Sequence, residues 1–170
     1  MKMFIGGKKM DISSTIPKGA FAKINGSPYS PNLSGRVYFL PLSGGVRVFV
    51  EVSGLPPYSP ASATQPNPIG PFGFHLHNNS CEIGDPQNPY AACGEHYNPT
   101  NQPHGNQAGD FPVLIANNGF AEMTFFTNRF NINDIIGRSV VIHQNPDDYR
   151  TQPAGNSGKR IAAGNIVPIT

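Results

Sequence analysis

The sequence is poor in charged residues, and none of its basic residues form a long cluster. Asp, Glu, Lys and Arg together make 13% of the 170 residues, and the formal net charge is +2. No run of Lys or Arg exceeds two residues. Nucleic-acid-binding domains usually present a basic patch or stripe, so this composition argues against a nucleic-acid partner.

Long apolar segments are also missing. No stretch approaches the roughly 18 apolar residues of a membrane-spanning helix. The amino-terminal segment "MKMFIGGKKMDISS" has a basic start, but Gly-Gly-Lys-Lys interrupts its apolar stretch after three residues, unlike the core of a secretory signal. We therefore expect a soluble protein without a membrane partner, and the sequence leaves its compartment unknown.

Cysteine is scarce and histidine is unevenly distributed. The chain has two cysteines, Cys81 and Cys93, which could form one disulfide, serve as metal ligands or remain unrelated thiols. Histidine is absent from the first 74 residues. All five histidines follow: His75, His77, His96, His104 and His143.

Glycine and proline are abundant, with 19 and 18 residues, or 37 of 170 together. Combined with the low charge, this composition is typical of a loop-rich all-β protein. The length suits a single domain with a hydrophobic core. We expect that domain over residues 20–170, preceded by a flexible amino-terminal extension over residues 1–19.

Residue alternation predicts a series of short strands separated by turns. The proline-rich segment 55–71 is too rich in helix breakers to be a helix, and residues 78–118 and 144–160 form two long loops. About eight short strands close most easily as an antiparallel sandwich or barrel with Greek-key crossings. The predicted strands cover 20–25, 35–42, 46–54, 72–77, 119–127, 137–143 and 160–167, with a short helical turn over 131–137.

The histidine-leucine-histidine stretch at residues 75–77 suggests a metal site. Side chains two apart in a strand leave the same face, so these imidazoles are expected roughly 6 to 7 Å apart, close enough to share one ion. His96 follows an acidic residue and His104 lies between proline and glycine, while His143 ends an apolar run. Imidazole suits copper and zinc, and an added carboxylate such as Asp110 suits zinc. The alternative for each single histidine is a hydrogen-bonded structural role.

Ordered motifs across residues 20–168 resemble the copper/zinc superoxide dismutase family, in a bacterial type. They read "GGVRVFVEVSGLPP", "FGFHLH", "GEHYNPTNQPHG", "AGDFP", "IIGRSVVIH", "PDDY" and "QPAGNSGKRIAAG". The resemblance implies a flattened, sandwich-like, eight-stranded antiparallel Greek-key β-barrel with two long functional loops. It also implies a copper-dependent oxidoreductase that converts superoxide to dioxygen and hydrogen peroxide.

The same resemblance implies which residues hold the metals. His96 would bridge the two ions and act with Arg160 in catalysis, Arg160 guiding superoxide to copper. Asp147 would link the two metal sites from behind the ligands. The implied copper ligands are His75, His77, His96 and His143, and the implied zinc ligands are His96, His104 and Asp110.

Two positions depart from the family pattern. Gln107 stands where the family has a further zinc-ligating histidine, and an amide oxygen is a poorer zinc ligand than imidazole, so zinc is expected at a weakened site. Three alternatives are open: a water completes the zinc ligands, Gln107 itself completes them, or the zinc site stays empty and copper alone is bound. Ala163 stands where the family has the disulfide partner of the loop cysteine, Cys81. That bridge cannot form, which leaves Cys81 either paired with Cys93 or, like Cys93, a free thiol.

These departures keep an alternative open. A related copper-binding or structural protein with little or no catalytic activity would explain Gln107 and Ala163, although it has no need of the full ligand set with Arg160. A carbohydrate-binding β-sandwich would explain the loops but not the histidines. The expected partner is superoxide as substrate, and the expected assembly is a monomer or a homodimer.

Overall fold

The computed structural model describes residues 2–5, 8–11 and 18–169. Near the amino terminus, β1 (Lys2–Ile5) pairs antiparallel with β2 (Lys8–Asp11) in a separate two-stranded sheet. The expectation of a flexible extension over residues 1–19 falls partly outside the described residues and stays a prediction. No helix in the described ranges is long and apolar enough to cross a membrane.

Seven strands form the main sheet, and every neighbouring pair is antiparallel. Their order is β6-β8-β9-β3-β4-β5-β7, so the connection from β5 to β6 crosses from one side of the sheet to the other. The strands are β3 (Ala20–Gly26), β4 (Ser34–Leu42), β5 (Gly45–Ser53), β6 (Phe74–His77), β7 (Ala121–Thr127), β8 (Ser139–His143) and β9 (Arg160–Pro168). One short helix, α1 (Ile132–Ile135), occupies the predicted helical turn.

Period-two alternation is the reason these segments are strands. In β5 the side chains of Val46, Val48, Val50 and Val52 are buried in the core, while the residues between them face outward or are half-buried. The turn from β4 to β5 uses Ser43 and Gly44, and Gly44 has a φ of +83°, a conformation that glycine adopts without steric cost. Strands β4 and β5 therefore form a hairpin.

The all-β Greek-key fold is confirmed, and the strand count differs by one. Between β6 and β7, residues 112–120 form no regular strand and make only isolated bridges, Phe72 with Leu114 and Asn117 with Phe120. Pro112 begins this stretch and has no N–H to donate to a ladder. A single pair of hydrogen bonds between Phe72 and Leu114, both 2.9 Å, replaces a regular pairing there.

Strands β6 and β8 are buried on both faces. Phe74 and Leu76 of β6 pack into the core with Val140 and Ile142 of β8. The opposite face carries the histidines and lies under the two long loops. A buried sheet face lined with imidazoles is the platform on which the functional site is built.

Candidate metal centre

His75, His77 and His143 leave the outer face of adjacent strands β6 and β8. The ring centroids of His75 and His77 are 6.3 Å apart, within the range that strand geometry predicts. His143 ends β8, and its ring centroid lies 4.9 Å from that of His75 and 5.5 Å from that of His77. Neighbouring strands thus bring three imidazoles together.

The fourth histidine is positioned by the free edge of β6. The backbone N–H and C=O groups on this edge are not paired with another strand, so they can form hydrogen bonds with the long loop. Leu76 accepts a hydrogen bond from Tyr97 N at 2.8 Å and donates one to Gly109 O at 2.9 Å. These bonds attach the long loop along β6 and place the His96 ring 3.9 Å from that of His75. The side-chain nitrogens of His75, His77, His96 and His143, called here the four-histidine group, lie within 4.8 Å of one another.

Hydrogen bonds set the tautomers of the four-histidine group. His77 donates from Nδ1 to Gly94 O at 2.9 Å, and His143 donates from Nδ1 to Gly158 O at 3.2 Å, since a carbonyl only accepts. Their Nε2 atoms therefore present lone pairs and are only 3.3 Å apart. The Nδ1 atom of His75 and the Nε2 atom of His96 are buried without any partner. Lone pairs that converge in this way repel one another unless they share a cation.

Burial keeps three of these imidazoles, those of His75, His77 and His143, neutral. Desolvation lowers the pKa of His143 from its ordinary value of 6.5 to about 3, and the pKa values of His75 and His77 also lie well below 6.5, chiefly through desolvation. Neighbouring histidines lower the pKa values of His75 and His77 further. Neutral imidazole is the form that binds a metal ion, so the ligand atoms are ready for coordination at neutral pH.

A second cluster, called here the mixed group, consists of His96, His104 and Asp110. Asp110 Oδ1 lies 3.0 Å from His96 Nδ1 and 3.1 Å from His104 Nδ1. The other carboxylate oxygen of Asp110 accepts hydrogen bonds from Gly105 N at 2.8 Å and Gln107 N at 2.9 Å. His104 Nδ1 is buried and has no hydrogen-bond partner. His96 thus belongs to both groups and presents one ring nitrogen to each.

Asp147 joins the two groups from behind. Its carboxylate accepts hydrogen bonds from His75 Nε2 and from His104 Nε2, both at 2.8 Å. Its side chain is fully buried, as are those of the two histidines. The backbone N–H of Tyr149 donates to the same carboxylate at 2.7 Å. These bonds hold the His75 and His104 rings so that the remaining nitrogen of each faces its metal-ligand group.

Comparison with known proteins agrees with this geometry. A model of the family described as "Copper/zinc superoxide dismutase (SODC)" matches residues 33–166. The chain belongs to the copper/zinc superoxide dismutase family. Superoxide dismutase (Cu-Zn) of Deinococcus radiodurans is 36% identical over 158 residues, which cover 81% of this chain and 79% of that protein. Superoxide dismutase (Cu-Zn) 3 of Arabidopsis thaliana is 32% identical over 152 residues, 79% of this chain and 83% of that protein.

Within this superoxide dismutase fold, Arg160 begins β9 opposite His143. Its guanidinium is half-buried and donates to the carbonyl oxygens of Tyr90, Ala91 and Gly94. Partial burial lowers the pKa of Arg160 below its ordinary value, and the charge of Arg160 contributes in turn to the lowered pKa values of His77 and His143.

Lys159, the basic residue that precedes Arg160, has a different environment. Its ammonium lies 4.2 Å from the centroid of the Tyr29 ring, a cation–π contact, and the residue is exposed. The two adjacent basic residues therefore differ in their surroundings, although they are consecutive in sequence.

The cysteines lie in the same loop as the carbonyl oxygens that accept hydrogen bonds from Arg160. Cys81 and Cys93 form a disulfide, with Cα atoms 4.6 Å apart and a sequence separation of 12. The pair packs with Tyr90, Val141 and Ala163 in a small apolar cluster. Ala163, which occupies the position of the partner cysteine in the family pattern, thus packs with the Cys81–Cys93 disulfide.

A polar contact holds this loop on β9 near Ala163. The side chain of Asn165 accepts a hydrogen bond from Cys81 N at 2.6 Å and donates one to Cys81 O at 3.1 Å. The Tyr90 hydroxyl adds a bond to Asn25 O of β3 at 2.8 Å. Sequence reasoning missed Asn165, because a lone asparagine in a strand carries no pattern that distinguishes it.

Proposed function

We propose that this chain is a copper/zinc superoxide dismutase, which converts superoxide to dioxygen and hydrogen peroxide. The observation that carries the proposal is the four-histidine group, whose unprotonated ring nitrogens converge within 4.8 Å beside a half-buried guanidinium. The names of the Deinococcus and Arabidopsis relatives support the same activity. Copper, when bound, supplies the one-electron oxidation and reduction that this reaction needs.

The proposed copper ligands are His75 through Nδ1 and three histidines through Nε2: His77, His96 and His143. The absence of hydrogen-bond partners at His75 Nδ1 and His96 Nε2 supports these atoms. The proposed zinc ligands are His96 and His104, each through Nδ1, and Asp110 through Oδ1, an imidazole and carboxylate set that suits zinc. In this assignment His96 uses both ring nitrogens.

Three residues hold the proton, the anion and the ligand rings in this proposal. His96 holds or releases a proton on the ring nitrogen that faces the four-histidine group, and the mixed group fixes its other nitrogen. Arg160 attracts superoxide and orients it with charge-assisted hydrogen bonds. Asp147 keeps His75 and His104 in their binding orientation.

The assignment extends to the disulfide and the domain limits. A Cys81–Cys93 bond is supported by the spacing of the two residues and by the missing cysteine at Ala163. Peptide mapping without reductant should recover the crosslinked peptide, and free thiols in folded, oxidised protein would exclude it. The catalytic domain is assigned to residues 20–170, in agreement with a family match over 33–166.

The partners are proposed on similar grounds. Superoxide is the substrate. A nucleic-acid partner is excluded from the proposal by the small net charge of +2 and the absence of a basic run. The assembly is a monomer or a homodimer.

The deciding experiment measures copper content and dismutation rate on the same purified protein. We expect one copper per chain with activity, and loss of both in His143→Ala. Val141→Ala is the matched control, because it removes buried volume from the same face of β8 without removing a ligand nitrogen. Copper binding without dismutation would favour the non-catalytic copper protein, and full copper content in His143→Ala would exclude the ligand assignment.

A further inference from the structure

The mixed group supplies three ligand atoms, whereas a zinc ion in a structural site takes four. His96, His104 and Asp110 are the members that the described residues bring together. The position from which the family would add a third histidine carries Gln107 instead. The Gln107 side chain either only fills space beside the mixed group or contributes a fourth ligand atom to it.

Gln107 starts the turn that orients Asp110. Its backbone N–H donates to Asp110 Oδ2 at 2.9 Å, and its carbonyl accepts a hydrogen bond from Asp110 N at 3.1 Å. The guanidinium of Arg129 donates to the same carbonyl at 2.8 Å. The backbone of Gln107 is therefore fixed beside a proposed zinc ligand by three hydrogen bonds.

The side chain of Gln107 is buried, with 8% of its surface exposed. Its carbonyl oxygen Oε1 is inaccessible and has no hydrogen-bond partner. Buried carbonyl oxygens almost always have a partner, because an unpaired one loses its interaction with water and gains nothing in return. His104 Nδ1, an atom of the mixed group, is buried without a hydrogen bond as well.

We propose that Gln107 Oε1 is the fourth ligand of the zinc ion, which completes a site of two imidazole nitrogens and two oxygens. The inference rests on the proposed zinc site at His96, His104 and Asp110. A coordinated cation satisfies the unpaired amide oxygen and His104 Nδ1 together. Because a neutral amide oxygen is a weaker zinc ligand than imidazole, the site binds zinc less tightly than a set of three histidines and a carboxylate.

The test is a zinc titration of the copper-free and zinc-free full chain against a chromophoric chelator. Gln107→Leu keeps nearly the same volume and removes the oxygen, so its zinc Kd should rise about tenfold or more. Gln102→Leu is the matched control, because Gln102 lies in the same loop and its Oε1 is already paired with the exposed Asn106. The control should keep the zinc Kd of the parent chain.

Two further variants keep the test decisive if Gln107→Leu fails to fold. Gln107→Glu retains an oxygen donor and adds charge, and Gln107→His supplies imidazole, so both should lower the zinc Kd relative to the parent chain. With Co²⁺ as the probe, Gln107→His should also shift the visible ligand-field bands, because an oxygen donor is replaced by nitrogen. A side chain at this position that does not reach the zinc ion would change neither the Kd nor the spectrum in these two variants, whereas a Gln107 that only fills space within reach of zinc would leave the Kd of Gln107→Leu unchanged.

The outcomes separate this inference from the proposed function. Equal zinc Kd values in the parent chain, Gln107→Leu and Gln107→Glu, with unchanged Co²⁺ bands in Gln107→His, would overturn the role of Gln107 and leave the three-ligand zinc site intact. A parent chain that binds no zinc would overturn the zinc site and this inference together. Copper content and dismutation, measured separately, would still decide the proposed function.

Discussion

Arg160 and His77 donate hydrogen bonds to the same acceptor, the carbonyl oxygen of Gly94, at 2.8 and 2.9 Å. The bond from His77 fixes its Nδ1 proton and aims Nε2 at the four-histidine group. The bond from Arg160 fixes the guanidinium beside that group. One backbone carbonyl thus sets the relative positions of a proposed copper ligand and the proposed anion-binding residue.

Changing Arg160 to Ile should lower the superoxide rate severalfold or more and flatten its dependence on ionic strength. The physical reason is that steering by a charge across solvent is screened over a Debye length of about 8 to 10 Å. Stopped-flow rates at several salt concentrations test this, with copper measured per chain. Lys159→Ile is the control, since its charge lies over Tyr29, and a smaller effect is expected. Loss of copper or of folded stability in Arg160→Ile, with an unchanged rate per copper, would make Arg160 a structural residue.

Changing Gly155 to Ala should weaken the binding of both proposed metal ions, copper and zinc. Gly155 has a φ of +64°, and a Cβ atom there would collide with the Asp147 carboxylate and approach His104 Nε2. The added methyl would therefore break the link between the two groups. Metal retention during dialysis against a chelator measures the effect.

The control for this prediction is Gly84→Ala. Gly84 has a similar φ of +60° and nothing within 4 Å of the added atom. Both variants should lose about 1 kcal/mol of stability through the left-handed backbone alone. Equal metal retention in the two variants would show that Gly155 matters only for its backbone conformation.

Changing Asn165 to Ala should release the disulfide loop from β9. Two hydrogen bonds to Cys81 are lost, and because the residue is exposed we expect about 1 kcal/mol less stability in total. Amide hydrogen exchange around residues 81–93 should become faster while the core strands stay protected. Asn165→Asp retains the acceptor and should be intermediate. Unchanged exchange in Asn165→Ala would mean that the disulfide and Arg160 suffice to hold the loop.

The metal-free protein should become less stable as the pH falls below about 6.5. The folded-state pKa of His143 is about 3 because of burial, whereas the unfolded chain binds a proton near 6.5. Between these values the unfolded state holds more protons, so acid favours it, and His75 and His77 act in the same direction. Each group contributes at most about 1.4 kcal/mol per pH unit.

Urea denaturation of the metal-free chain between pH 7.5 and pH 5 measures this slope. His143→Gln, which removes one titrating group, should show a shallower decline. A stability that is flat over this range would mean that the three imidazoles are solvated, and protonated as in the unfolded chain, when no metal is bound.

Much of the fold followed from local sequence patterns. Alternation of Val46, Val48, Val50 and Val52 predicted β5, and the spacing of His75 and His77 predicted their shared face. The irregular pairing of Leu114 and the anchoring by Asn165 were missed, because each depends on a partner more than 40 residues away in sequence.

Part of the candidate site could also be predicted from the sequence, and part could not. The proposed ligand side chains could be predicted from the sequence, because histidine and aspartate commonly bind metals and the motifs that contain them resemble those of a known family. The carbonyl oxygens of Gly94 and Gly158, which set the tautomers of His77 and His143, were not readable, because every residue has a carbonyl and only the folded chain determines its direction.

The disulfide between Cys81 and Cys93 closes a loop within one connection of the fold. By chain entropy such a loop stabilises by about 3 kcal/mol, whereas a bond from Cys81 to the position of Ala163 would contribute about 4.5 kcal/mol. Because the local bond lies within one connection between strands, it does not restrict the order in which the strands pair. Formation of this bond therefore does not require that the final strand is already docked, and docking of that strand does not require that the bond is already formed.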